Sequence, residues 1–183
     1  MHLAPLRLDH RAPLHSLLEA TNAFSAEEIN VALELFDDVF DTAEVTLRRP
    51  ERSKGPAFAV VADYEFIGAF DENDELLGYA CFGPTPSTSG TWDLYWLAVH
   101  PSAQGKGAGR ALVRQAEKEL EARGARLLVV ETSSRQEYAH TREFYARGGY
   151  VEEARVRDFY APSDDRVILT TRLTARERGV ATR

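Results

Sequence analysis

The spacing of hydrophobic positions changes period along the chain, and each change marks an element. Residues 3–8 alternate in part and predict a short first strand. Leu14, Leu17 and Leu18 then recur at helical spacing and predict a helix over 12–21. A second helix opens at Ser25, where Ser25 and Glu28 have the spacing of a capping box, and Ile29, Ala32, Leu33, Phe36 and Phe40 form one apolar stripe. Its other face carries Glu27, Glu34, Asp37, Asp38 and Asp41, either a solvated face or an acidic patch that attracts a cationic substrate. Residues 50–56 are a charged connection flanked by Pro and Gly. Strand-like runs follow at 58–62 and 65–70, a turn at 71–74, a strand at 76–82, and a Pro/Ser/Thr/Gly-rich loop at 84–90. Residues 92–99 are apolar throughout except for Asp93, as in a strand covered on both faces.

The second half repeats the alternation of strand and helix. The helix predicted over 107–123 buries Leu112, Val113, Ala116 and Leu120, pairs Glu119 with Arg123 one turn on, and stops at Gly124. A buried strand at 127–131, a polar Thr132-Ser133-Ser134 segment and a helix around 141–147 come next. Two last strands, 151–160 and 166–173, are joined by residues 161–165. Beyond Thr174 the Arg-rich tail has no apolar period and is expected to fray. Strands with interleaved helices predict an α/β sheet covered by helices.

At 183 residues, with 44% apolar residues, the chain can fill one core and is too short for two ordinary domains, so a single domain over 3–173 is expected. No apolar run approaches the length of a bilayer span, and the first residues lack the pattern of a secretory signal, so no membrane partner and a cytoplasmic location are expected. Cys81, the single cysteine, lies in an apolar run and is read as a buried, inert thiol. The five histidines have no metal-site spacing, and no metal is expected. A net charge of −7 argues against a nucleic-acid partner.

The chemistry concentrates at residues 104–110, Gln104-Gly105-Lys106-Gly107-Ala108-Gly109-Arg110, between a strand and a helix. The first N–H groups of a helix lack intrahelical partners, the helix dipole adds positive potential there, and glycines let an anion approach the backbone. This predicts a site for a phosphate or diphosphate, with Lys106 and Arg110 beside it against the overall negative charge. A P-loop would need Ser or Thr after the lysine, and Gly107 stands there. A Rossmann fingerprint would need a third Gly or Ala where Arg110 or Leu112 falls, although Glu131 sits where a ribose-binding acid would and keeps a dinucleotide reading as an alternative.

The run from Gln104 to Gly109 resembles the Gln/Arg-x-x-Gly-x-Gly/Ala signature of the GNAT acyltransferase superfamily, behind an apolar strand and a His-Pro turn. Residues 141–150, TREFYARGGY, resemble that family's second helix, with its Phe-Tyr pair, spacer, glycine and aromatic. The resemblance implies a mixed, mostly antiparallel sheet whose parallel pair, 92–99 and 127–131, splays apart to admit acyl-coenzyme A. The pantetheine arm would pair with backbone near Leu97, Ala98 and Val99, and the diphosphate would lie on Gln104, Gly105, Lys106, Gly107, Ala108, Gly109 and Arg110. It implies direct transfer of an acetyl group from acetyl-CoA to a primary amine, with no metal and no covalent enzyme intermediate.

Three residues carry catalytic expectations from the same resemblance. Tyr145 matches the tyrosine whose hydroxyl assists the departing thiolate. Asp93 matches a strand position that holds a catalytic carboxylate in several members; it lies about 13 Å along the strand from Leu97, so it would act through water. Glu131, where the central strands diverge, is the alternative base. Tyr138 stands where many members carry an asparagine that contacts the coenzyme; Ser133, Ser134 and His140 are candidate substitutes, and His100 is read as part of the His-Pro turn. The family's acceptor groove falls here on 24–40 and 159–165, whose acidic residues point to a cationic amine. A homodimer accords with the family, and the alternative function is a module that binds acyl-CoA without transferring it.

Overall fold

The computed structural model describes residues 1–48 and 64–173. The strand expected at 58–62, the connection at 50–56 and the tail beyond Thr174 lie outside the described residues. Among the described residues seven strands form one sheet: β1 (His2–Pro5), β2 (Glu65–Phe70), β3 (Leu76–Pro84), β4 (Thr91–Val99), β5 (Leu127–Ser133), β6 (Val151–Ala161) and β7 (Asp164–Arg172), in the order β1-β2-β3-β4-β5-β7-β6. The sheet is mostly antiparallel, and β4 with β5 is its parallel pair. The described α-helices are α1 (Arg11–Thr21), α2 (Ala26–Arg48), α3 (Ala108–Ala122) and α4 (Ala139–Arg147). The parallel register joins Thr91–Leu94 to Leu127–Val130 and then ends, although β4 runs on to Val99 and β5 to Ser133. The parallel pair expected from the family resemblance is present.

The chain divides into two compact units, Met1–Gly83 with Trp96–Val113, and Pro84–Tyr95 with the residues from Arg114 on. In the first unit, α1 and α2 cover the strands with their apolar stripes. Leu14, Leu17 and Leu18 meet Ile29, Ala32, Leu33 and Phe36 in a core shared with Phe66, Tyr79 and Cys81. Phe36 is fully buried and packs edge-on against Phe66 at 5.2 Å between centroids. Burial of one such side chain contributes about 1.5–3 kcal/mol. The α2 start is the capping box read from the sequence: Ser25 N–H donates to Glu28 Oε2 at 2.7 Å, and Glu28 N–H to Ser25 Oγ at 3.2 Å. The first strand is shorter than its alternation suggested. It ends at Pro5, and Leu8, half exposed, enters a 3-10 turn whose start is closed by Arg7 N–H donating to His10 Nδ1 at 3.0 Å.

In the second unit, Leu128 and Val130 of β5, Val167 and Leu169 of β7, and Ala116 and Leu120 of α3 are buried. Gly124 closes α3 with positive φ, as expected, and the Glu119–Arg123 pair forms at 3.6 Å. Strand β6 is the sheet edge and is exposed along its whole length. Its charges and two register shifts, at Glu152/Ala154 and Val156/Ala161, are devices that stop an open edge from recruiting further strands. Among the described residues no helix is long and apolar enough to cross a membrane.

Candidate active site

The loop ahead of α3 is built from the His-Pro turn outward. His100 Nδ1 accepts from Ser102 N–H at 3.2 Å and faces Ser102 Oγ at 2.8 Å, capping the 3-10 turn Pro101–Ala103. Gln104 then folds back, and its Nε2 donates to Val99 O at 3.1 Å, tying the loop to the end of β4. Leu97 and Val99 are half-buried there and Ala98 is buried. Gly105 (φ 72°) and Gly107 (φ 90°) lie in the left-handed region on either side of Lys106, and nothing stands within 4 Å of where their Cβ atoms would be. Alternating handedness of this kind turns successive N–H groups toward one side. Lys106 N–H is taken by Ala103 O at 3.4 Å, and Ala111 N–H begins the helical ladder on Gly107 O at 2.9 Å. Among the described residues, the N–H groups of Gly105, Gly107, Ala108, Gly109 and Arg110 have no acceptor. Lys106 and Arg110 are exposed beside them.

The two candidate bases differ in how far their oxygens are already engaged. Asp93 is half-buried; its Oδ2 accepts from Thr85 Oγ1 at 2.6 Å and, more weakly, from Tyr95 Oη at 3.4 Å, while Oδ1 has no hydrogen-bond partner among the described residues. Glu131, the first β5 residue beyond the parallel ladder, is ion-paired with Arg166, whose guanidinium also stacks over Phe159 at 4.8 Å. The register sets Asp93 opposite Val129, two residues before Glu131 on β5.

Tyr145 is buried on α4, and the end of that helix explains its orientation. Gly149 has φ 92°; Gly149 N–H donates to Ala146 O at 3.0 Å and Tyr150 N–H to Tyr145 O at 3.0 Å. These are the two bonds of a Schellman cap, which brings the residue after the left-handed glycine against the last turn. Here that residue is Tyr150, whose ring meets Tyr145 at 5.2 Å and 64°. The Tyr145 hydroxyl makes no hydrogen bond among the described residues, and burial pushes its pKa well above the ordinary phenol value. It therefore stays protonated throughout the neutral range.

Tyr138, in place of the expected asparagine, closes a 3-10 turn at the start of α4 and is half-buried. Ser133 and Ser134 are engaged elsewhere: Ser133 Oγ bonds the buried Asp164 carboxylate, and Ser134 Oγ accepts from Asp165 N–H at 2.8 Å, pinning the β6–β7 turn to the end of β5. His140 is almost fully exposed, 4.0 Å from Glu143. Several acids that pointed to a cationic acceptor are held within the chain: Asp37 by Arg11 at 2.7 and 2.8 Å, Glu28 by its cap, and Asp165 by Arg155 at 3.2 Å. Cys81 is fully buried, and burial pushes its thiol far above the range of a nucleophile.

Arg166 as partner of Glu131, Asp164 of Ser133 and Glu117 of Tyr150 escaped sequence reasoning. Each lies more than 30 residues from its mate, and only strand pairing and helix packing bring them together.

Comparison with known proteins agrees with this geometry. The family model for GNAT acetyltransferases matches residues 29–150. A crystal structure of a GNAT-family protein from Desulfovibrio desulfuricans is 34% identical, covers 94% of this chain and 99% of its own, and has a TM-score of 0.78. Two more distant structures share the fold. The ribosomal-protein-S18-alanine N-acetyltransferase from Escherichia coli is 17% identical, with a TM-score of 0.69 and 99% of both chains covered. An aminoglycoside 6'-N-acetyltransferase complexed with coenzyme A is 18% identical, with a TM-score of 0.68 and 96% and 99% covered. No curated protein sequence matches the chain.

Proposed function

Because the chain belongs to the GNAT acetyltransferase family, we propose that it moves the acetyl group of acetyl-CoA onto a primary amine by direct attack within a ternary complex. The observation that carries this reading is the loop at 104–110, where two left-handed glycines lead into α3 and five main-chain N–H groups from Gly105 to Arg110 lack acceptors among the described residues. A diphosphate has the charge and the oxygens to satisfy them, and the start of α3 adds its dipole. Lys106 and Arg110 contribute flexible positive charge, and Gln104 holds the loop against Val99, near the backbone of Leu97 and Ala98 that would pair with the pantetheine arm.

The acceptor must shed a proton, since an alkylammonium has a pKa of about 10.4. Asp93 takes that proton through water, because Oδ1 is open whereas Glu131 is held by Arg166. The amine nitrogen bonds the thioester carbonyl carbon, the carbon–sulfur bond breaks with its electron pair going to sulfur, and the thiolate is protonated. Tyr145, kept neutral by burial, donates a hydrogen bond to that sulfur. Arg11 pairs with Asp37 on α2, and near the β6–β7 turn Arg155 pairs with Asp165, so an acceptor would be recognised there by shape and hydrogen bonds as well as by the remaining charge. A second reading, a coenzyme-binding module without transfer, is favoured by Tyr138, which cannot reproduce the amide contacts of an asparagine.

Calorimetry with acetyl-CoA and a thiol-release assay over a panel of small amines, amino acids, aminoglycosides and peptide N-termini test the proposal. Binding in the micromolar range with turnover of at least one amine is expected. No binding at high micromolar acetyl-CoA sinks both readings, whereas binding without turnover leaves the second. With an active amine in hand, Asp93→Asn should lower kcat about tenfold or more; an unaltered kcat would exclude Asp93 as the base.

A further inference from the structure

We infer that Glu117 and Tyr150 form a positioning pair that sets the Tyr145 hydroxyl, an inference that rests on the catalytic reading of Tyr145. The Tyr145 hydroxyl has no hydrogen bond of its own among the described residues, so only packing fixes its direction. Its ring is bounded by Phe144 at 5.0 Å and 78° and by Tyr150 at 5.2 Å and 64°. Phe144 is the neighbouring residue on the same helix and moves with it. Tyr150 is anchored independently: its hydroxyl donates to Glu117 Oε1 on α3 at 2.8 Å, and its own ring is 4% exposed. The contact between Tyr150 and Tyr145 is therefore tied to a second helix.

The other end of α4 is held separately. Arg142 donates to Ser133 O at 2.6 Å and Arg135 O at 2.9 Å, which fixes the helix against the end of β5. With the axis held there, loss of the Glu117–Tyr150 bond leaves one main freedom, rotation and tilt of the two tyrosine rings against each other. A shift of about 1 Å in a group that acts only in the transition state lowers kcat and leaves ground-state binding alone. A part-buried hydroxyl–carboxylate bond is also worth more than a neutral pair, so the anchor is firm enough to serve.

The test is a double-mutant cycle between Tyr145→Phe and Tyr150→Phe, measured as kcat and KM for acetyl-CoA with the best amine of the panel. Tyr150→Phe keeps the ring and removes the anchor. It is expected to lower kcat about fivefold in the natural background, with KM for acetyl-CoA unchanged, and to have no further effect once Tyr145 is phenylalanine. Glu117→Ala should repeat the loss, and Glu117→Gln, whose amide oxygen still accepts, should restore most of it. Circular dichroism checks that each variant is folded. Equal losses in both backgrounds, or no loss in either, overturn the positioning pair. If Tyr145→Phe itself leaves kcat unchanged, it is the catalytic reading of Tyr145 that fails, and the pair falls with it.

Discussion

The start of α3 and the end of α4 are both built on glycines, and they treat their backbones in opposite ways. At α3, Gly105 and Gly107 turn successive N–H groups outward, and five of the six N–H groups from Gly105 to Arg110 have no acceptor among the described residues. At α4, Gly148, Gly149 and Tyr150 each donate to a carbonyl of the last turn, and the aromatic that follows is packed and hydrogen-bonded in turn. Left-handed glycine is common to both, so the residue type alone does not separate an open end from a closed one. What separates them is the next residue. After Gly107 comes helix, whose first N–H groups are unpaired by construction; after Gly149 comes a residue whose N–H reaches back to Tyr145 O.

The largest expected effect comes from closing the open end. Gly107→Val places a β-branched residue at φ 90° and fills the space above the loop. Affinity for acetyl-CoA should fall about 10²-fold by calorimetry, through strain and obstruction together. Affinity within a factor of two of the natural protein would mean that this loop is not where the coenzyme binds.

Much of this contrast was legible in the residues. The capping box of α2, the loop from Gln104 to Arg110 and the glycine–aromatic end of α4 are local signals, in which partners lie a few positions apart and backbone geometry follows from residue type. The β1 boundary was read too late because the apolar Leu6 and Leu8 suggested alternation, while His10 offered its ring to the Arg7 N–H and stabilised a turn instead. The partners that decide chemistry were not legible. Glu131 with Arg166, Ser133 with Asp164 and Tyr150 with Glu117 are made across strands or between helices, and no periodicity in a single sequence encodes them. Likewise the acids at 159–165 look free in the sequence, and Ser133 at the end of β5 engages Asp164 while Arg155 on β6 engages Asp165.

A second test separates the closed end, together with the first unit's core, from the open loop by pH. Burial raises the pKa of Tyr79 and Tyr145; burial, and then the nearby Glu117 carboxylate, raises that of Tyr150. Below about pH 10 these phenols are protonated in the folded and unfolded chains alike. Above it the unfolded chain releases three protons that the folded chain retains, so the folded state binds more protons and stability falls as pH rises. Urea unfolding at pH 10.5 should show a loss of about 2 kcal/mol relative to pH 9. The phenolate absorbance of these residues should appear together with unfolding; a tyrosine titration complete near pH 10 in the folded protein would show that the rings are open to water.

The smallest effect sharpens the comparison most directly, because it tests the same residue type at the closed end. Gly149→Ala keeps every donor of the cap but asks a residue with Cβ to hold φ 92°, at a cost of about 1 kcal/mol in unfolding free energy. Affinity for acetyl-CoA should stay within a factor of two, since no open N–H group is touched, while kcat falls modestly as Tyr150 loosens against Tyr145. Stability lost with binding intact is the signature of a glycine that closes a helix, and the reverse pattern belongs to Gly107. If Gly149→Ala weakened binding as much as Gly107→Val, the two ends would not be doing different work, and the division between an open cradle and a closed support would have to be abandoned.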